Sequence, residues 1–107
     1  MVLKLLESRG DIIMSQFLKS LIVRKLKGLT YEELQYYSDE YGFSLSEREL
    51  SDIINYLRNH FIDPFHANGR MQMVQELTRI TNAQTAQKAQ RLFNELIKSY
   101  GVEHLFN

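Results

Sequence analysis

His60, Asp63 and His66 fall at intervals of three in the segment HFIDPFH, and two imidazoles with a carboxylate are a donor set that many transition-metal sites use. Such a site needs its donors to converge. Pro64 follows Asp63 directly and biases it away from helical backbone, so the spacing does not fix the relative direction of the three side chains. The sequence supplies neither an HExxH pair nor a third strong ligand beside them. The expectation is loop or surface histidines, with His104 alone near the C-terminus. Cysteine is absent, which removes thiolate nucleophiles, Cys-based zinc sites and disulfides together. No Ser, His and acid grouping stands out, and no glycine motif could cradle a phosphate. The stretch DEYGFSLSERE lacks the alternating oxygen ligands of a calcium loop, because Phe43 and Leu45 occupy it. The reading is a protein that is not an enzyme, with no catalytic residue, no cofactor and no metal.

The elements that would position any site are legible from spacing and punctuation. At 107 residues and 44% hydrophobic content the chain has room for one core and one domain. Apolar residues at Met14, Phe17, Leu18, Leu21, Ile22 and Leu26 predict a helix over 14–27 with one inner face. Thr30 with Glu33, and Ser46 with Glu49, are capping boxes, because each hydroxyl and carboxylate can satisfy the other residue's unpaired backbone N–H. They open a second helix with Leu34, Tyr37 and Tyr41 inward and a third with Leu50, Ile53, Ile54 and Leu57 inward. A fourth helix is expected from about Gly69 to Ile80, burying Met73, Val74, Leu77 and Ile80. Either Thr81 with Gln84 or the competing Asn82 caps a last helix, with Ala86, Ala89, Leu92, Phe93, Leu96 and Ile97 on one face. Gly28, Gly42 and Gly101 each end a helical run, where a left-handed residue is often required. Phe61, Ile62 and Phe65 are expected to plug the core from the loop around Pro64. The fold class is therefore all-α, a compact bundle of four to five short helices containing a helix-turn-helix-like pair over 29–59.

Residues 14–107 form the single helical domain, and residues 1–13 admit two readings. The codons for Ser8 to Asp11 can be spelled so that they contain AGAGGTGAT, close to a Gram-positive ribosome-binding sequence. With that spelling Met14 is the start and 1–13 a leader without a selected fold; otherwise 1–13 is an extra helical turn packing Leu3, Leu5 and Leu6.

Charge decides against DNA reading by the helix pair. Its second helix opens Ser46, Glu47, Arg48, Glu49 with Asp52 a turn later, and these carboxylates would repel a phosphate backbone while suiting a helix N-terminus. The net charge is zero but unevenly spread. Residues 1–27 carry six basic and two acidic groups, and residues 28–60 carry two basic and seven acidic ones. A chain so polarised can associate with itself, basic end to acidic middle. Tyr31, Tyr36, Tyr37 and Tyr41 crowd the second helix, and Tyr36 and Tyr37 point about 100° apart, so some aromatic surface is left outward. The candidate interaction surface is Tyr31, Tyr36, Tyr37 and Glu40 with Arg24 and Lys25, and no residue is assigned to catalysis.

The segments GLTYEELQYYSDEYGFSLS, YLRN, FIDPF and ITNAQTAQKAQRLF resemble the YqfT-like family, small uncharacterised proteins of Bacillales forming a domain of unknown function. The resemblance covers about residues 28–97. It implies a cytoplasmic helical protein and brings no activity, ligand or site residue with it. No apolar run approaches the roughly 20 residues needed to span a bilayer. The function expected is a small non-enzymatic protein-interaction module whose partner is an unknown protein or a second copy, in the cytoplasm. The alternative, less favoured, is weak nucleic-acid binding through Lys19, Arg24, Lys25 and Lys27 of the basic first helix.

Overall fold

The computed structural model describes the backbone of residues 2–106 and the side chains of residues 15–106. The chain forms α1 (Val2–Lys27), α2 (Tyr31–Glu40), α3 (Glu47–Asn59), α4 (Ala67–Ile80) and α5 (Ala83–Ser99), followed by one 3-10 turn over Glu103–Leu105. Among the described residues there is no strand, and the all-α expectation holds. The side chains of Leu3, Leu5 and Leu6, and with them their expected packing, lie outside the described residues.

Both capping boxes form as expected. Glu33 N–H donates to Thr30 Oγ1 at 3.1 Å while Thr30 N–H donates to a Glu33 carboxylate oxygen at 3.1 Å, and Ser46 and Glu49 repeat the exchange at 3.1 and 2.8 Å. At α5 the competition is won by Asn82, whose side-chain oxygen accepts from Thr85 N–H at 2.8 Å; Thr81 instead donates its hydroxyl to Leu77 O at the end of α4. Gly42 and Gly101 terminate α2 and α5 with φ of 75° and 65°. In each case the glycine and the residue after it donate back to two carbonyls of the last turn, Asp39 and Ser38 or Lys98 and Ile97. Gly28 follows the end of α1 as expected but without a left-handed conformation: its N–H bonds to Arg24 O, its φ is not positive, and the next residue, Leu29, is buried in the core.

Helix α3 is the hub, packing against α1, α2 and α4, while α5 packs chiefly on α4. Leu29, Ile54, Leu57 and Ile62 make the buried centre, with Leu26, Leu34, Ile53, Tyr56 and Met73 against it. Lys27 tethers α1 to α3 by donating from Nζ to Leu57 O at 3.3 Å and His60 O at 2.6 Å, carbonyls at the carboxyl end of α3. Arg58 returns the tie by donating to Leu29 O at 3.2 Å.

Three expectations about inner faces are corrected. In the Pro64 loop Ile62, Pro64 and Phe65 are buried, but Phe61 is 88% exposed. His60 has extended backbone, in which successive side chains alternate, so Ile62 can enter the core only by turning Phe61 outward. On α2 the buried residue is Ser38, not Tyr37 or Tyr41, which are both exposed. Ser38 follows Leu34 by one turn; its small side chain faces inward and its hydroxyl donates to Phe43 O at 3.3 Å. On α1 the apolar stripe is split, with Leu18, Ile22 and Leu26 half-buried and Phe17 and Leu21 exposed. At 100° per residue these five positions span about half the helix circumference, more than one neighbouring helix covers.

Candidate functional site

Two features stand out once the core is accounted for: an outward aromatic and charged surface on α1 and α2, and an apolar cleft among α3, α4 and α5. On α1, Phe17, Leu21, Arg24 and Lys25 follow i, i+4, i+7, i+8 spacing, which sets them on one stripe, and all four are exposed. On α2, Glu33, Tyr36, Tyr37 and Glu40 follow i, i+3, i+4, i+7 spacing and form a second stripe. Tyr36 and Tyr37 stack edge to face with ring centroids 5.6 Å apart, and Tyr36 is 63% exposed.

One ion pair joins the stripes. Lys25 Nζ bonds to Glu33 Oε2 at 2.5 Å, which raises the pKa of Lys25 and, with the Thr30 N–H bond, lowers that of Glu33. Tyr37 is near enough to Lys25 to add to the lysine's shift. From this junction the stripes run back along α1 to Phe17 and forward along α2 to Glu40, one carrying cations and the other anions beside its aromatic or aliphatic groups. Of the six residues proposed from sequence, Arg24, Lys25, Tyr36, Tyr37 and Glu40 lie on these two stripes. Tyr31 does not; three and seven residues before Leu34 and Ser38, it shares their inward side and is half-buried. Sequence reasoning missed Phe17 and Leu21 because apolar residues at helical spacing read first as core.

The cleft has a volume of about 260 Å3. One wall is α4, through Met73, Val74, Leu77 and Ile80, and another is α5, through Ala86, Ala89 and Phe93. Ile53, Tyr56 and Leu57 of α3 form its floor. None of the residues of α4 is fully buried, which corrects the expectation for Met73, Val74, Leu77 and Ile80: all four are half-buried along the cleft. The small Ala86 and Ala89 bring α5 close to α4 but leave the space beside them unfilled. Gln90 lines the α5 wall between Ala89 and Phe93, while Arg70, Phe93 and Asn94 continue into a second hollow with Lys98 and Glu103. Tyr56 has its pKa raised, first by burial and then by the charge of Glu76.

The histidines do not converge. His66 donates from Nδ1 to Asp63 Oδ2 at 2.6 Å, closing the turn around Pro64, while His60 donates from Nδ1 to Tyr56 O at 3.1 Å on the end of α3. Burial would raise the Asp63 pKa, but the His66 bond and the Phe65 N–H together outweigh it and hold the carboxyl below its ordinary value. Among the described residues no three His, Cys, Asp or Glu side chains are placed to hold a metal ion. No described helix is long and apolar enough to cross a membrane.

Residues 14–97 match the family described as "Protein of unknown function (DUF2624)". The chain is 29% identical over 75 residues to the uncharacterized protein YqfT of Bacillus subtilis (strain 168), covering 70% of this chain and 89% of that protein. No solved structure matches the chain.

Proposed function

Because the chain belongs to the DUF2624 family, whose description assigns no function, we propose from its own surface that it is a non-enzymatic protein-interaction module that self-associates through α1 and α2. The observation that carries the reading is the pair of stripes joined at Lys25 and Glu33. Phe17, Leu21, Tyr36 and Tyr37 are large apolar or aromatic groups left in water on adjoining helices, flanked by Arg24 on α1 and Glu40 on α2. A two-fold dimer needs a surface that complements itself, so that what one half lacks the other supplies. A basic stripe and an acidic stripe meeting at an angle have that property. Rotation about a two-fold axis near the junction lays α1 of one copy on α2 of the other, twice, covering the aromatic groups and pairing opposite charges.

Sedimentation velocity over a wide concentration range tests the reading, with a reversible monomer–dimer equilibrium expected. Phe17→Asp should raise the dimer Kd by about ten-fold or more, the effect of removing an interface anchor. Arg24→Glu should weaken the dimer and adding Glu40→Arg should restore it. A chain that stays monomeric throughout, or a dimer indifferent to Phe17→Asp, overturns the proposal. The nucleic-acid reading has less support: Lys25 is paired with Glu33, Lys27 with the end of α3, and Lys19 lies 5.5 Å from the centroid of the Phe65 ring. Tight, strongly salt-sensitive retention on heparin would be its signature.

A further inference from the structure

We infer that the cleft among α3, α4 and α5 is a binding site for a single-chain aliphatic carboxylate, with the hydrocarbon between α4 and α5 and the carboxylate at Arg70. The site is independent of the α1–α2 surface. Its size decides against a peptide helix, because about 260 Å3 lies just below the usual range of small-molecule pockets whereas a helix is about 10–12 Å across. Its lining decides against a polar metabolite. Met73, Val74, Leu77 and Ile80 of α4 and Ala86, Ala89 and Phe93 of α5 make its walls largely apolar, Gln90 is the one polar side chain between Ala86 and Phe93 that lines it, and Arg70 and Asn94 are shared with the adjoining hollow.

Arg70 is held but not neutralised. It is half-buried and donates from one guanidinium nitrogen to Pro64 O at 3.0 Å, which fixes it at the mouth, and among the described residues no carboxylate pairs with it. Lys98 adds a second cation in the adjoining hollow, against Glu103, the one carboxylate there among the described residues. A carboxylate head would take the two-pronged geometry that guanidinium favours. Length follows from the helix: ten residues separate Arg70 from Ile80, about 15 Å at 1.5 Å per residue. An extended chain advances about 1.25 Å per carbon for a 1.5 Å bond at a near-tetrahedral angle, so roughly twelve carbons fill the cleft.

The test is titration of the full chain with dodecanoate below its micelle concentration, followed by calorimetry and by amide and methyl NMR shifts. Saturable one-to-one binding is expected, with shifts centred on Met73, Leu77 and Ala89. Decanoate should bind about fifteen-fold more weakly, since each of the two missing methylenes contributes about 0.8 kcal/mol when buried. Dodecyltrimethylammonium, with the same chain and opposite charge, should bind at least ten-fold more weakly than dodecanoate. Ala89→Phe should abolish binding by filling the cleft, and Arg70→Gln should remove the preference for the anionic head. The head-group and chain-length comparisons use the unaltered protein and so stand even if a variant fails to fold. Equal binding of the cationic amphiphile, shifts centred on Phe17 and Tyr37, no saturable binding, or binding to phosphatidylglycerol vesicles without binding to the free acid would each overturn the assignment.

Discussion

Gly69 offers a test in which the local and tertiary rules predict opposite signs. It lies in the first turns of α4, and within a helix glycine to alanine is ordinarily stabilising by about 1 kcal/mol, because alanine loses less backbone freedom on folding. Here a Cβ would fall 1.9 Å from Asp63 O, 2.8 Å from Asp63 C and 2.9 Å from Asp63 Cβ. The obstruction is largely main chain and is followed by the buried Pro64, so it cannot swing aside as a flexible side chain would. Reaching even 3.0 Å requires a displacement of about 1.1 Å between α4 and the loop, which places the cost near the upper end of the 1–3 kcal/mol typical of overpacking. Subtracting the helix gain leaves Gly69→Ala destabilised by about 2 kcal/mol, or a fall of about 8 °C in Tm for a domain of this size. Urea and thermal unfolding followed by far-ultraviolet circular dichroism measure it. Asn68→Ala, at an exposed position in the same turn, is the control and should change stability by no more than about 0.5 kcal/mol. A Gly69→Ala chain as stable as the parent, or more so, would refute the packing of α4 against the Pro64 loop.

Adjacent residues of that loop should respond in opposite ways: Ile62→Ala should cost about 2–5 kcal/mol and Phe61→Ala no more than about 0.5 kcal/mol, measured by the same unfolding curves. Ser46→Ala should cost about 1 kcal/mol by freeing N–H groups at the start of α3. Lys27→Ala should cost about 1 kcal/mol by leaving the last carbonyls of α3 without their cation, and high salt should shrink the difference. The folded-state pKa of Asp63 is depressed, so its stabilisation is present above the unfolded value near pH 4 and is lost as pH falls below it. Asp63→Asn should therefore flatten the pH dependence of unfolding below about pH 4 while changing it little above pH 6.

The sequence by itself determined the helices, because their signals are local. A capping box needs only residues three apart, as at Thr30 and Ser46, and the glycine termini at Gly42 and Gly101 need only a residue free to take positive φ. Of the six residues it proposed for the α1–α2 surface, five lie on the two outward stripes, since crowded tyrosines and segregated charge are visible without coordinates. Periodicity alone could not say which apolar residues have something to pack against. Phe17 and Leu18 satisfy the same pattern, yet Leu18 is half-buried and Phe17 exposed; Phe61 and Ile62 are equally apolar, yet an extended backbone sends them opposite ways. Only the tertiary structure decided that α4 and α5 leave a cleft instead of closing on α3, because a gap is a property of the distance between helices. Arg70 acquires its meaning there too, from Pro64 and the apolar walls that the fold brings around it.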